Sequence, residues 1–456
     1  MTMNLTLLAL ALAVPLGATA APLTLDDALA LAARQSRDLD IARADASLAG
    51  ADGLGAWQGV LPRLDLTSFA GHQFYGPNRG QVVDPTSGTL IPLNSAAIGY
   101  EAYSFGLQLT QPLVDLAAIR KVSQARASER AAARGYDESR LGVAFDVTRR
   151  FFELVKAERT LQVLEKAARR SGELVERADA LFAAGRAQKL DTYSARVNLG
   201  NDRIQVEQGR TRLVQARADL ALALGQPGDV AVEVVAPAGV EGPAIPSGEP
   251  PPLDVLMARA RERRPSLAAA KAQVEAAQAS LSAARFAYWP TLSAQASYSR
   301  SGRYALDRKD AAGLVVSDGT FADPARNYNA SIGLVLSWNL FAGRSTEAGL
   351  ARAEASWEKV RATAGKTSDG VAREVTSARQ TVVALAVQVG LSADNLTAAE
   401  QSLALARQRL EAGLASQLEV RDASLKFTQA ELSLVQARID HAVATADLAR
   451  AVGGAL

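Results

Sequence analysis

Short alternating segments and long heptad-spaced segments follow one another along this chain. Residues 103–110 alternate between apolar and polar side chains, and residues 328–340 do the same. Weaker alternation runs from 290 and begins again at Leu64 and Leu66. A period of two is typical of strands with one apolar and one polar face. The pattern predicts four strands, at about 61–75, 103–111, 290–300 and 328–340.

A seven-residue period replaces the alternation after each strand pair. The apolar residues with this spacing are Leu190, Val197 and Ile204 in the first half, and Leu418, Leu425, Leu432 and Ile439 in the second. Proline, which breaks helix interiors, is absent between Pro112 and Pro227 and after Pro324. We therefore predict two long helical hairpins with coiled-coil packing, at about 113–224 and 342–452.

The two halves of the chain match in a single register of 228 residues. Pro62 corresponds to Pro290, and Ala184-Gly185 corresponds to Ala412-Gly413. One register that is kept over most of both halves indicates a duplication. We assign residues 21–226 and 253–456 to the two repeats, each with a short first helix (24–35 and 253–263). The linker 227–252 between them holds seven of the 17 prolines.

The first twenty residues have the features of a secretory signal peptide. Residues 5–17 are apolar and are followed by Ala18-Thr19-Ala20, although Met1–Asn4 lacks the usual basic residue. We assign 1–20 to the signal peptide. After it we find no stretch of about 18 apolar residues for a transmembrane helix, so a membrane crossing would use strands. Four strands cannot close a membrane barrel, so two, three or four copies would share one sheet.

Composition argues against catalysis and against nucleic-acid binding. The 50 Lys+Arg and 48 Asp+Glu leave a net charge of +2, too small to favour nucleic acid. Without cysteine and with two histidines, the chain offers no disulfide, thiolate site or histidine-rich metal centre. Residues 364–367 (AGKT) are similar to the end of a phosphate-binding loop, but Val360 stands where its first glycine is required. We expect no enzyme activity, no cofactor and no metal.

The whole pattern resembles the TolC family of outer-membrane channels for efflux and type I secretion. The most specific matches are the segments 183–196 and 411–424, where a glycine precedes an acidic residue by six positions: Gly185/Asp191 and Gly413/Glu419. The resemblance implies a mainly α fold with β strands. A homotrimer would form a twelve-stranded β-barrel in the outer membrane that continues into a long α-helical barrel in the periplasm. The linker and the short helices would form a belt around the helical barrel.

The function that this resemblance implies is passive export. The channel-tunnel would carry small molecules or proteins and would work with a periplasmic adaptor and an inner-membrane transporter. One alternative is a periplasmic adaptor, although adaptors have one hairpin within soluble β domains. Another is a structural coiled coil, which has no need of four alternating strands. An enzyme is the remaining alternative.

Acidic residues after the two hairpin turns are the candidate functional site. The resemblance places Glu419 and Asp422 at the periplasmic constriction, and we add Asp191 from the first hairpin. Carboxylate rings select cations, but acidic residues also stabilise the first turn of a helix by its dipole. Some relatives hold the closed state with a tyrosine and an arginine at positions occupied here by Leu410 and Ala415.

The hairpin tips are the second candidate surface. Glycine readily adopts the left-handed conformation that ends a helix, so the first hairpin should turn at Gly185 and the second at Gly413. A helix of about 70 residues would place these turns roughly 105 Å from the strands. We expect Gly185, Arg186, Gly413 and Leu414 to dock the adaptor.

Overall fold

The computed structural model describes residues 23–95, 98–186, 188–229, 232–237, 250–309, 315–317 and 328–454. The expected signal peptide and much of the linker lie outside these residues. In chain order the helices are α1 (Leu25–Gln35), α2 (Arg37–Gly55), α3 (Leu116–Ala183), α4 (Lys189–Ala223), α5 (Leu253–Arg263), α6 (Pro265–Phe286), α7 (Ser345–Glu411) and α8 (Gln417–Ala451). The strands are β1 (Arg63–Tyr75), β2 (Asn78–Val83), β3 (Leu90–Ser95), β4 (Ile98–Val114), β5 (Thr291–Lys309), β6 (Val315–Ser317) and β7 (Tyr328–Ser337).

Each repeat begins with two helices, where we had expected only one. Thr24 caps α1, because its hydroxyl oxygen accepts a hydrogen bond from the Asp27 backbone N–H at 3.2 Å. α1 then ends at Ser36 and α5 ends at Arg264, both with extended backbone, and a second helix starts at once. The additional helices are α2 and α6, in segments to which the sequence analysis had assigned no element.

The main sheet is antiparallel, in the order β1-β4-β5-β7 with β6 beside β5. Apolar residues of all four strands lie in one row across it: Leu64, Leu109, Ala296 and Ile332. The adjacent row, which points to the opposite face, is polar: Asp65, Gln108, Ser297 and Ser331. Alternation along each strand therefore gives the sheet one apolar and one polar face.

The segment between the first two predicted strands is not the open loop that we expected. We had assigned 76–102 to a polar loop, but it contains the β2–β3 hairpin and the beginning of β4. Asp84 closes the turn of this hairpin by accepting a hydrogen bond from the Thr86 backbone N–H at 2.9 Å. In the second repeat β5 continues to Lys309, into the other expected loop (301–327), of which 310–314 and 318–327 lie outside the described residues.

The helical hairpins have the expected asymmetry of arm length. α3 has 68 residues and α7 has 67, or about 100 Å each at 1.5 Å per residue, whereas α4 and α8 have 35. The turns contain Gly185 and Gly413 at φ +68° and +71°. Beyond them, the backbone N–H of Arg186 donates to Leu181 O, and that of Leu414 to Arg409 O, both at 2.8 Å. These are the bonds that terminate a helix at a left-handed glycine.

The chain divides into two compact units that do not follow the repeat boundary. One comprises Met1–Ala46, Ala132–Ala270 and Ala364–Leu456, and the other Ser47–Ala131 and Lys271–Thr363. In the first unit, fully buried Phe151, Leu220 and Ile439 share one cluster. Leu256, Val375 and Leu448 share a second. Linker residues take part in this unit, since the backbone N–H of Leu23 donates to Glu233 O at 2.8 Å.

One helix, α7, contains an 18-residue window of mean hydropathy 1.4, of which 17% is buried. This differs from our expectation that no such stretch follows the signal peptide. The window lies within a 67-residue hairpin arm rather than in an isolated span. Val389 of this helix is buried against Leu434 and Ala437 of α8. Length and composition alone give this helix the character of a membrane span.

Candidate functional site

Two of the three predicted gate carboxylates lie at equivalent positions of α4 and α8. The Asp191 carboxylate accepts a hydrogen bond from the Gln188 backbone N–H at 3.2 Å, which forms part of a capping box. In the second hairpin the capping side chain is Ser416, whose hydroxyl oxygen accepts from the Glu419 backbone N–H at 3.3 Å. Asp191 thus stabilises the helix start directly, whereas the Glu419 carboxylate is left for other contacts.

Both acidic residues of the second hairpin have a basic partner. The Glu419 carboxylate lies 2.6 Å from Arg409 Nη1, and the two side chains are 41% and 48% exposed. Asp422 lies 2.7 Å from Lys426 Nζ, one helical turn away. Because these pairs are solvent-accessible, their attraction is weak and the carboxylates remain ionised at neutral pH.

Arg421, which stands between the two acidic residues, points toward the first hairpin instead. Its guanidinium binds the Asp202 carboxylate of α4 at 2.8 and 3.1 Å, and Ser171 Oγ of α3 at 2.7 Å. The Ser171 hydroxyl also donates to Asp202. We call Ser171, Asp202 and Arg421 the clasp. It joins the two repeats through side chains that are 13–15% exposed at the ion pair.

A second basic residue of α3 contacts α8 beside the clasp. Arg170 donates to the Thr428 hydroxyl at 2.8 Å and lies 5.0 Å from the ring centroid of Phe427. Burial lowers the pKa of Arg170, and the charge of Glu431, 3.7 Å away, opposes that shift. Arg170 and the clasp together fix α8 against α3 just beyond the second turn.

Sequence reasoning missed the clasp because its members are far apart in the chain. Arg421 and Asp202 are separated by 219 residues, and Arg421 and Ser171 by 250. Neither helix shows a local spacing that identifies the partner. The one available signal was an arginine and an aspartate on the inward faces of amphipathic helices, where an unpaired charge would be costly.

The residues at the hairpin tips are accessible. Leu414 is 72% exposed. A Cβ built on Gly185 or Gly413 would meet no atom within 4 Å. Next to the tips, a cavity of about 250 Å³ lies between the starts of α4 and α8, with apolar walls from Leu174, Leu190 and Leu418. The described residues contain no group of three or more His, Asp or Glu side chains that could hold a metal ion.

Comparison with known proteins identifies relatives along almost the whole chain. The model of a family described as "Outer membrane efflux protein" matches residues 28–226 and 256–454. The outer membrane protein OprJ of Pseudomonas aeruginosa is 26% identical over 274 residues, which are 60% of this chain and 53% of OprJ. The aligned part thus spans about half the length of that curated relative.

Solved structures with the same fold are outer-membrane channels by their descriptions. The Campylobacter jejuni channel CmeC superposes with a TM-score of 0.76 at 16% identity, over 94% of this chain and 85% of CmeC. CusC gives 0.77 at 20% identity, over 94% and 92%. The Vibrio cholerae outer membrane protein VceC gives 0.74 at 18% identity, over 94% and 96%.

Proposed function

This chain belongs to the outer membrane efflux protein family, and we propose that its homotrimer is an outer-membrane channel-tunnel that exports small molecules or proteins. Members of this family are channels rather than enzymes. The tunnel would operate in a tripartite efflux pump or a type I secretion system, with energy supplied by an inner-membrane transporter. The observation that carries the proposal is the four-stranded sheet.

The sheet is incomplete within one chain. Among the described residues, β1 and β7 each pair with one strand and leave their other edge unpaired. Four strands do not close a membrane barrel, whereas three copies of this sheet supply twelve. We infer that β1 of one subunit pairs with β7 of the next, which satisfies the backbone hydrogen bonds that lipid cannot supply.

The two faces of the sheet suit lipid and water. On the apolar face Ile332 is 89% exposed, Leu334 67% and Leu336 66%. Burying such a face in hydrocarbon gains the free energy that its exposure to water forfeits. The polar face, where Ser297 and Ser331 hydroxyls lie 2.8 Å apart, would line the lumen.

The candidate residues receive their roles within this proposal. Asp191, Glu419 and Asp422, present three times in the trimer, would line the periplasmic constriction. Gly185, Arg186, Gly413 and Leu414 would contact the periplasmic adaptor. A soluble adaptor and a structural coiled coil remain poorer explanations, because neither requires an exposed apolar sheet face.

Mass measurement in detergent and conductance in a planar bilayer test the proposal together. We expect a particle of three chains that conducts ions. A stable monomer in the soluble periplasmic fraction would contradict the trimeric channel. A trimer without conductance in any condition would leave the assembly correct and overturn the function.

A further inference from the structure

One edge of the main sheet carries exposed aromatic side chains. The residues that bound this edge are Arg63, Val114, Thr291 and Ser337, at the relevant ends of β1, β4, β5 and β7. Trp289 precedes β5 and Trp338 follows β7, and they are 60% and 58% exposed. The indole N–H of Trp338 donates to the Tyr288 carbonyl oxygen at 3.1 Å, which holds the ends of these strands together.

The aromatic cluster continues to a basic helix start. The rings of Phe286 and Trp289 meet edge to face at 6.2 Å, and the Arg120 guanidinium lies 5.8 Å from the Phe286 ring centroid. A second pair of this kind, Arg126 over Trp57 at 5.0 Å, lies just before β1. Arginine is thus placed over an aromatic ring twice along the same edge.

Three exposed cations near this edge have no acidic partner. Arg120 and Lys121 lie in the first two turns of α3, and Arg344 directly precedes α7. Within the part of the chain that the structure describes, none of the three forms an ion pair, whereas nearby Arg285 lies 3.7 Å from Glu354. Arg344 is also held at φ +67°, a conformation that is unfavourable for a residue with a side chain.

We propose that this edge binds anionic phospholipid of the periplasmic leaflet. The inference rests on the proposed membrane barrel. Acyl chains would lie on the apolar face, which ends at Trp338, and tryptophan and tyrosine rings prefer the headgroup level. The phosphate would contact Arg120, Lys121 and Arg344, since guanidinium groups bind phosphate with paired hydrogen bonds and basic side chains favour anionic leaflets.

The test compares lipid binding of matched variants in nanodiscs. Wild type, Arg120→Gln/Lys121→Gln/Arg344→Gln, and the control Lys166→Gln/Arg203→Gln/Arg212→Gln would be reconstituted in phosphatidylcholine with or without phosphatidylglycerol. The control removes the same charge from exposed hairpin positions. Retained lipid is counted by native mass spectrometry, and the thermal midpoint is measured in each lipid.

We expect phosphatidylglycerol to raise the midpoint of wild type and control. The triple edge variant should lose this rise and retain less of that lipid, by roughly five-fold in affinity per cation removed. Arg120→Lys/Arg344→Lys should behave as wild type, because it keeps the charge. Equal responses of wild type and edge variant would overturn the proposal, and so would a full response to inorganic phosphate in phosphatidylcholine. Trimer mass and conductance of the same samples show separately whether the channel proposal holds.

Discussion

Arg421 of α8 and Asp202 of α4 form a two-point ion pair in which the side chains are only 13% and 15% exposed. The pair belongs to different repeats, and it lies one residue from each of the carboxylates that neighbour Arg421 in the proposed gate. The rotational setting of the first turns of α8 is therefore fixed by the first hairpin. We expect the gate to respond when this contact is removed.

Replacing Arg421 by Leu should destabilise the hairpins strongly, because Asp202 would keep a largely buried charge without a partner. The expected loss is about 3–5 kcal/mol for such a change. Arg421→Leu/Asp202→Leu should lose less, since no charge is left unpaired. Thermal unfolding of both variants in detergent measures the difference, and single-channel recording should show longer openings in both. An unaltered midpoint for Arg421→Leu would mean that the pair does not hold the hairpins.

Neutralising the gate carboxylates should weaken cation preference. Glu419→Gln/Asp422→Asn removes six charges from a trimer, and reversal potential under a salt gradient measures the result. Arg409→Gln makes the opposite change, because it releases Glu419 from its 2.6 Å partner. We expect stronger cation preference in that variant. If both variants keep the wild-type reversal potential, these residues serve the helix start and do not control conduction.

The hairpin tips should tolerate asparagine without tolerating docking. Gly185 and Gly413 have left-handed backbone with open space around them, and asparagine is among the residues that accept this conformation. Gly185→Asn/Gly413→Asn should therefore keep the trimer and its conductance while impairing export with the adaptor. Gly200→Asn in α4, where space is also open, is the control for an added side chain. Normal export by the tip variant would place docking elsewhere.

Gly453 should be far less replaceable than other glycines. It has φ +91°, and a Cβ there would lie 2.8 Å from the carbonyl oxygen of Arg263. Gly225, its equivalent in the first repeat, has the same relation to Gln35. Gly453→Ala should lower stability by about 1–3 kcal/mol. Gly200→Ala should raise it by up to about 1 kcal/mol, because it adds helix propensity without a clash. Chemical unfolding of the two variants provides the comparison.

His441 should make stability depend on pH. Burial lowers the pKa of this imidazole below its ordinary value of 6.5. The unfolded chain therefore binds a proton more readily, so its contribution to stability is intact above about pH 6.5 and declines as pH falls below that value. Thermal midpoints at pH 7.5 and 5.5 should differ less in His441→Gln than in wild type. An equal difference would assign the pH dependence to other groups.

Local periodicity was sufficient to place the main strands and both hairpins. Alternation at 103–110 and 328–340 reports which side chains share a face, and the seven-residue spacing from Leu190 and Leu418 reports the packed side of a helix. Glycine marked the turns for a comparable reason, since a left-handed backbone has few alternatives. These features depend on neighbours in the sequence, so the sequence contains them in readable form.

Features that depend on distant partners could not be found in this way. α2 and α6 are rich in alanine and have weak amphipathic character, so nothing separated them from the helices before them. The β2–β3 hairpin lies in a segment that read as polar loop. The partner of Arg421 is set by three-dimensional packing alone. The gate and docking roles stay predictions, because they arise between subunits or between proteins.

The interleaving of the two compact units has a consequence for biogenesis. Phe151, from the first repeat, shares a buried cluster with Ile439, from the second. No half of the chain holds a complete core, so the part that crosses the inner membrane first cannot finish folding until the remainder has followed. The apolar sheet and helix faces would stay uncovered during that interval. Periplasmic chaperones that hold unfolded chains should therefore be a stronger requirement for this protein than for one whose repeats fold independently.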